Sequence, residues 1–180
     1  EEVVRATFEN LSAAHYSLDR FIIVLAGEEG DKENFLQIAE GIKKDYGDRF
    51  KKILITVHPR GLENEIPGKG SNLNYAGHIA ERMIKEMMID YEKVIVSSFD
   101  IDTCAHPEYF AHLSYTYHTT PNRTHASYQP VALYNNNIWQ TGAIVRLASF
   151  GTTFWLLTEL TRPERLFTFS SHSMSFKALV

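Results

Sequence analysis

Three short apolar runs constrain the fold of this chain more than any other feature: Phe21-Ile-Ile-Val-Leu25, Ile53-Leu-Ile-Thr-Val57 and Val94-Ile-Val-Ser-Ser-Phe99. Each is rich in β-branched residues and bounded by polar or Gly/Pro sequence, the pattern of strands buried on both faces in a parallel sheet. Between them the apolar period changes to that of a helix. Phe35, Leu36, Ala39, Ile42 and Tyr46 recur at spacings of three and four, as do Leu73, Ala76, Ala80, Ile84 and Met87, with Ser71 placed to cap the second helix. The order strand, helix, strand, helix, strand predicts right-handed crossovers and an α/β fold with a mostly parallel sheet flanked by helices.

Beyond Thr103 the pattern is less regular. Pro107 to Tyr117 reads as a short helix with Tyr109, Phe110 and Leu113 inward, Tyr128 to Tyr134 as a strand, and Asn135-Asn-Asn137 as a turn. The apolar stretch Gly142 to Leu160 holds Arg146 and several Ser and Thr, and reads as a helix packed on the sheet rather than one lying at an interface. Leu166 to Phe169 closes the pattern as a last strand.

The remaining properties exclude classes of function. The 180 residues suffice for one core and predict a single domain, 1–180. A formal charge of −4 with no block of like charge argues against nucleic acid as a partner. One cysteine, Cys104, excludes an intrachain disulfide and a Cys-based zinc site, and a reduced, cytoplasmic compartment is the simplest expectation. The triplets at Asn10 and Asn122 that could accept a glycan are of a kind that arises often by chance. No signal peptide is visible, nor a run of about 18 apolar residues that would cross a bilayer. The chain starts without Met in helix-like sequence and ends in an apolar stretch, so it is expected to be part of a longer protein.

Ligands of open α/β sheets bind outside the carboxyl ends of the strands, and all three runs end in polar sequence. The first leads into Ala26-Gly-Glu-Glu-Gly-Asp31, the second into His58-Pro-Arg-Gly61 and the third into Asp100-Ile-Asp102. Asp100 and Asp102 fall on one side if the backbone stays extended. Two such carboxylates repel unless a cation lies between them, and Mg²⁺ or Mn²⁺ takes these ligands together with substrate phosphates. The bland alternative is that Asp100 caps the next segment and Asp102 is solvated. In Pro67-Gly-Lys-Gly-Ser-Asn-Leu-Asn-Tyr-Ala76, two glycines and Lys69 precede a helix start, which suits a diphosphate, although an ordinary capped loop has the same composition. Glu28, Glu29 and Asp31 could accept hydrogen bonds from a nucleoside or simply face water. The histidines share no zinc-like spacing and read as surface or packing residues, and Cys104 reads as a small buried filler.

Taken together these blocks resemble the family 2 glycosyltransferases of the GT-A, Rossmann-like fold. The resemblance rests on their order: Ala13-Ala-His-Tyr16, Phe21 to Glu29, Ile53 to Val57, Lys69-Gly-Ser-Asn-Leu-Asn-Tyr-Ala76, Phe99-Asp-Ile-Asp-Thr103, and the small-residue stretch Ser171-His-Ser-Met-Ser-Phe-Lys177. It implies a nucleotide-sugar donor, UDP-linked by expectation, bound by Glu28, Glu29, Lys69, Asp100 and Asp102, with Asp102 and Asp100 on a Mg²⁺ or Mn²⁺ ion. The sugar would pass to a saccharide or lipid-linked acceptor hydroxyl with inversion. Departures are equally specific. The family's usual Asp-Asp-Gly-Ser is replaced by Ala26-Gly-Glu-Glu29. The opening strand would precede Glu1, and the general base and acceptor motifs would follow Val180, so the domain is expected to be incomplete. Membrane association through flanking segments is a further expectation of the family.

Two rival readings differ in chemistry. A haloacid-dehalogenase-like phosphatase also puts Asp-x-Asp after a buried strand, but wants a Thr or Val where Cys104 stands and has no use for the Lys69 block. A non-catalytic nucleotide-binding domain of a membrane protein would keep the fold and lose turnover.

Overall fold

The structure is a computed structural model and describes residues 1–66, 68–134, 138–162, 164, 168 and 171–180. It is a mixed α/β chain that divides into two compact units, one made of residues 1–94 and 101–120 and the other of 95–100 and 121–180.

In the first unit, α1 (Glu2–Ser12) is followed by β1 (Ile22–Glu28), α2 (Lys32–Tyr46), β2 (Lys52–His58), α3 (Lys69–Glu86) and α4 (Tyr109–Thr119). β1 and β2 pair in parallel from Ile22↔Lys52 to Glu28↔His58, joined by a helical crossover as the periodicity predicts. The core is Phe8, Leu25, Ala39, Ile42, Tyr46, Phe50 and Ile53. Its aromatic rings meet at tilted and edge-on angles, with Phe8 5.5 Å from Tyr46 and 6.0 Å from Phe50, the geometry ring quadrupoles favour. Gly27 is required by close approach, because a β-carbon there would lie 2.4 Å from the Phe35 ring of α2. α4 buries Leu113 as expected and leaves Tyr109 and Phe110 half-buried; it also buries Tyr117, whose hydroxyl donates to the Glu92 carbonyl at 2.7 Å.

The cap of α3 lies three residues before the expected one. Gly68 is the N-cap, with φ +153° and ψ −176°, a backbone state open essentially to glycine alone. Ser71 sits inside the first turn, and its hydroxyl donates to the Gly68 carbonyl at 2.8 Å.

In the second unit, β3 (Ile95–Ser98), β4 (Ser127–Tyr128) and β5 (His172–Ser175) form an antiparallel sheet in the order β3-β5-β4. The third apolar run is therefore a strand, but it pairs antiparallel with β5, so the mostly parallel sheet is not what forms among the described residues. The run is regular over only four residues, none fully buried, and its second half is serine. Those serines suit a polar neighbour, and Ser97 shares a 2.6 Å hydroxyl hydrogen bond with the fully buried Ser173. The strand expected at Tyr128–Tyr134 shrinks to Ser127–Tyr128, with Val131, Leu133 and Tyr134 exposed. The expected turn at Asn135-Asn-Asn137, Pro67, and all but Thr168 of the strand expected at Leu166–Phe169 lie outside the described residues.

α5 (Ala143–Leu160) is a helix, but it does not bury its apolar side. Leu156 is buried, while Ile144 is 85% and Phe154 74% exposed, and Leu147, Phe150, Trp155 and Leu157 are also exposed. Some of its polar residues turn the other way: Arg146, Ser149, Thr153 and Glu159 are half-buried, while Thr152 and Thr158 are exposed. Arg146 is held there by the Thr141 carbonyl at 2.9 Å and by the Trp139 ring at 5.8 Å. Among the described residues no helix is long and apolar enough to cross a membrane.

Candidate functional site at the carboxyl edge of the parallel strands

β1 and β2 end side by side, so the residues that leave them share one edge of the first unit. Glu28 and His58 are register partners at that edge. Glu29 follows and accepts the Arg60 backbone N–H at 2.8 Å, while the Arg60 guanidinium occupies the space above Gly30 that a β-carbon would need. The first turn of α3 is tied to the same edge, since the Asn72 side-chain amide donates to the Ala26 carbonyl near the end of β1 at 3.4 Å. The Asn72 Oδ1 atom is buried without a protein partner, which leaves an acceptor beside the strand end. Lys69, exposed, is the first residue of that helix.

The sequence places His58 among surface or packing residues, and the structure gives it a larger part. Its side chain is 6% exposed, its Nε2 lies 2.8 Å from Glu65 and its Nδ1 3.5 Å from Glu28. The Tyr75 ring of α3 packs edge-on at 5.3 Å. Burial works against the charged imidazolium, but hydrogen bonds to Glu65 and then Glu28, with their Coulomb attraction, outweigh it and raise the pKa above 6.5. The only sequence signal was its place directly after a parallel strand. Its partner Glu65 is returned to it by the loop, which turns at Gly61 (φ +76°) and at Asn64 (φ +63°).

The acidic pair is less regular than its spacing suggests. β3 ends at Ser98 and the chain turns at Ile101-Asp102, so the extended backbone that would put both carboxylates on one side does not continue through them. Asp100 is half-buried and belongs to the second unit; Asp102 is exposed and belongs to the first. The turn at Asp102 is fastened to α1, where the buried Thr7 hydroxyl donates to the Ile101 carbonyl at 2.5 Å. Cys104, expected as a buried filler, is exposed.

Among the described residues no three His, Cys, Asp or Glu side chains cluster as a ready-made metal cage. Thus the structure gathers Glu28, Glu29 and the helix that begins at Lys69 at one edge, and leaves Asp100 and Asp102 as a local pair defined by the chain. No protein-family model, curated protein or solved structure significantly similar to this chain was found.

Proposed function

We propose that this chain is the donor-binding part of a family 2-like glycosyltransferase of GT-A type, which holds a nucleoside diphosphate sugar, with UDP favoured as its carrier. The observation that carries the reading is the carboxyl edge of the β1–β2 pair, where Glu28, Glu29 and the α3 turn that begins at Lys69 converge through the Asn72–Ala26 hydrogen bond. Strand ends beside a helix start are where α/β proteins hold phosphorylated ligands. Glu28 and Glu29 supply acceptors for ribose or base hydroxyl and amino groups. Lys69 and the α3 amide groups supply positive charge and donors for the diphosphate.

Asp100 and Asp102 are the residues that would hold Mg²⁺ or Mn²⁺. Such an ion would supply a Lewis acid to offset the charge of the leaving diphosphate. The residues of this chain bind and orient the donor, so that an acceptor hydroxyl can attack the anomeric carbon as the nucleoside diphosphate leaves. The acceptor is a saccharide or lipid-linked hydroxyl, whose proton passes to a general base other than these donor-binding residues.

Calorimetric titration of UDP with and without Mn²⁺ tests the reading directly. Binding that needs the metal and vanishes in Asp102→Ala supports it. Absence of metal-dependent binding, or binding equal in Asp102→Ala, removes the donor site.

A further inference from the structure

The Glu28–His58–Glu65 cluster shares Glu28 with the proposed donor site and, through Glu65, holds the loop that leads to Lys69. Both ring nitrogens of His58 face carboxylate oxygens, at 2.8 Å on Glu65 and 3.5 Å on Glu28. A neutral imidazole has one N–H and would set a lone pair against one of the two carboxylates; only the imidazolium can donate on both sides. The groups that face the ring come from every element packed on it: Glu28 from β1, Glu65 from the loop and Tyr75 from α3. The ring is buried, so water satisfies little of the imidazole itself, although the Glu28 and Glu65 side chains stay 45% and 25% exposed.

The loop between β2 and α3 is thereby fastened at two points. Near its start the Arg60 amide binds Glu29, and near its end Glu65 binds His58. Residue 68 follows, where the Gly68 backbone state opens α3. Releasing Glu65 would free the segment that leads into the Lys69 turn.

We propose that His58 is a positioning residue that, as the imidazolium, clamps the β2–α3 loop through Glu65 to the carboxyl edge and makes seating of the diphosphate at the start of α3 depend on pH. The consequence for the ligand rests on the donor-binding reading; the clamp itself does not. Because the folded pKa is raised, the clamp is complete below about 6.5 and is lost as pH rises through the folded value. Donor binding should then be tighter at mildly acidic pH than at alkaline pH.

Three measurements on the same protein test this. Imidazole NMR titration, with His58 assigned by His58→Gln, should give a His58 pKa above 6.5 that falls in Glu65→Gln. Hydrogen exchange of segment 59–68, corrected for the intrinsic pH dependence, should rise with pH through that midpoint in the wild type and be fast at all pH in Glu65→Gln. Binding of UDP with Mn²⁺ should weaken over the same range in the wild type and lose that pH step in Glu65→Gln. A His58 pKa at or below 6.5 overturns the proposal even if the variant fails to fold. So does an exchange step that persists unchanged in Glu65→Gln. An exchange step without UDP binding at any pH upholds the clamp and rejects the donor reading, whereas UDP binding with no pH step does the reverse.

Discussion

Thr7→Val changes a hydroxyl to a methyl at nearly constant volume, and so isolates the hydrogen bond that fastens the Asp102 turn to α1. The Thr7 hydroxyl has one proton and two carbonyls in range, Ile101 at 2.5 Å and Val3 at 3.2 Å, and the shorter bond defines its donor direction. Thr7 is 8% exposed, so valine is tolerated by its surroundings. The loss is that of a buried partner for the Ile101 carbonyl, about 1–3 kcal/mol in general. Ile101 is itself exposed, so water can reach part of that carbonyl and the low end applies, about 1 kcal/mol. For a chain of this length that corresponds to a fall in Tm of about 2–4 °C. Circular dichroism melts should show this shift, and Mn²⁺-dependent UDP binding should weaken because the turn that carries Asp102 is released. Thr7→Ser keeps the donor and should restore most of both. A Thr7→Val protein that melts with the wild type and binds Mn²⁺–UDP equally well would refute the idea that α1 positions the acidic turn.

Two further perturbations follow from particular residues. At Gly68, φ is +153° and no atom lies within 4 Å of an added β-carbon, so Gly68→Ala should be destabilising purely through the backbone, by about 1–3 kcal/mol in chemical denaturation. Phe154→Glu on the outer side of α5 should lower binding of a hydrophobic dye while shifting stability by less than about 0.5 kcal/mol, since that ring is 74% exposed; a large stability loss would show that the ring is packed.

The sequence determined the local elements whose signal is local. Ile22–Leu25 and Ile53–Val57 lie in strands, as short β-branched runs bounded by polar sequence favour, and α2 and α3 follow their three-and-four periodicity. The polar edge after β1 and β2 was legible for the same reason, since a parallel pair joined by a helix brings both strand ends to one side. Pairing at a distance was not legible. Val94–Phe99 reads as one more parallel strand until β5, some 75 residues later, supplies an antiparallel partner whose serines match Ser97. Asp100 and Asp102 show their spacing in the sequence, but which way they point depends on the backbone after Ser98, and there it turns.

His58 shows the same division most clearly. Its position after a strand is written in the sequence, while its charge is set by Glu28 across the sheet and by Glu65 brought back through two left-handed turns. Likewise the composition of α5 gave a helix, and only the tertiary arrangement turned Arg146 inward and its aromatic residues out. Local propensity is a property of neighbours in the chain; protonation, strand direction and exposure are properties of neighbours in space.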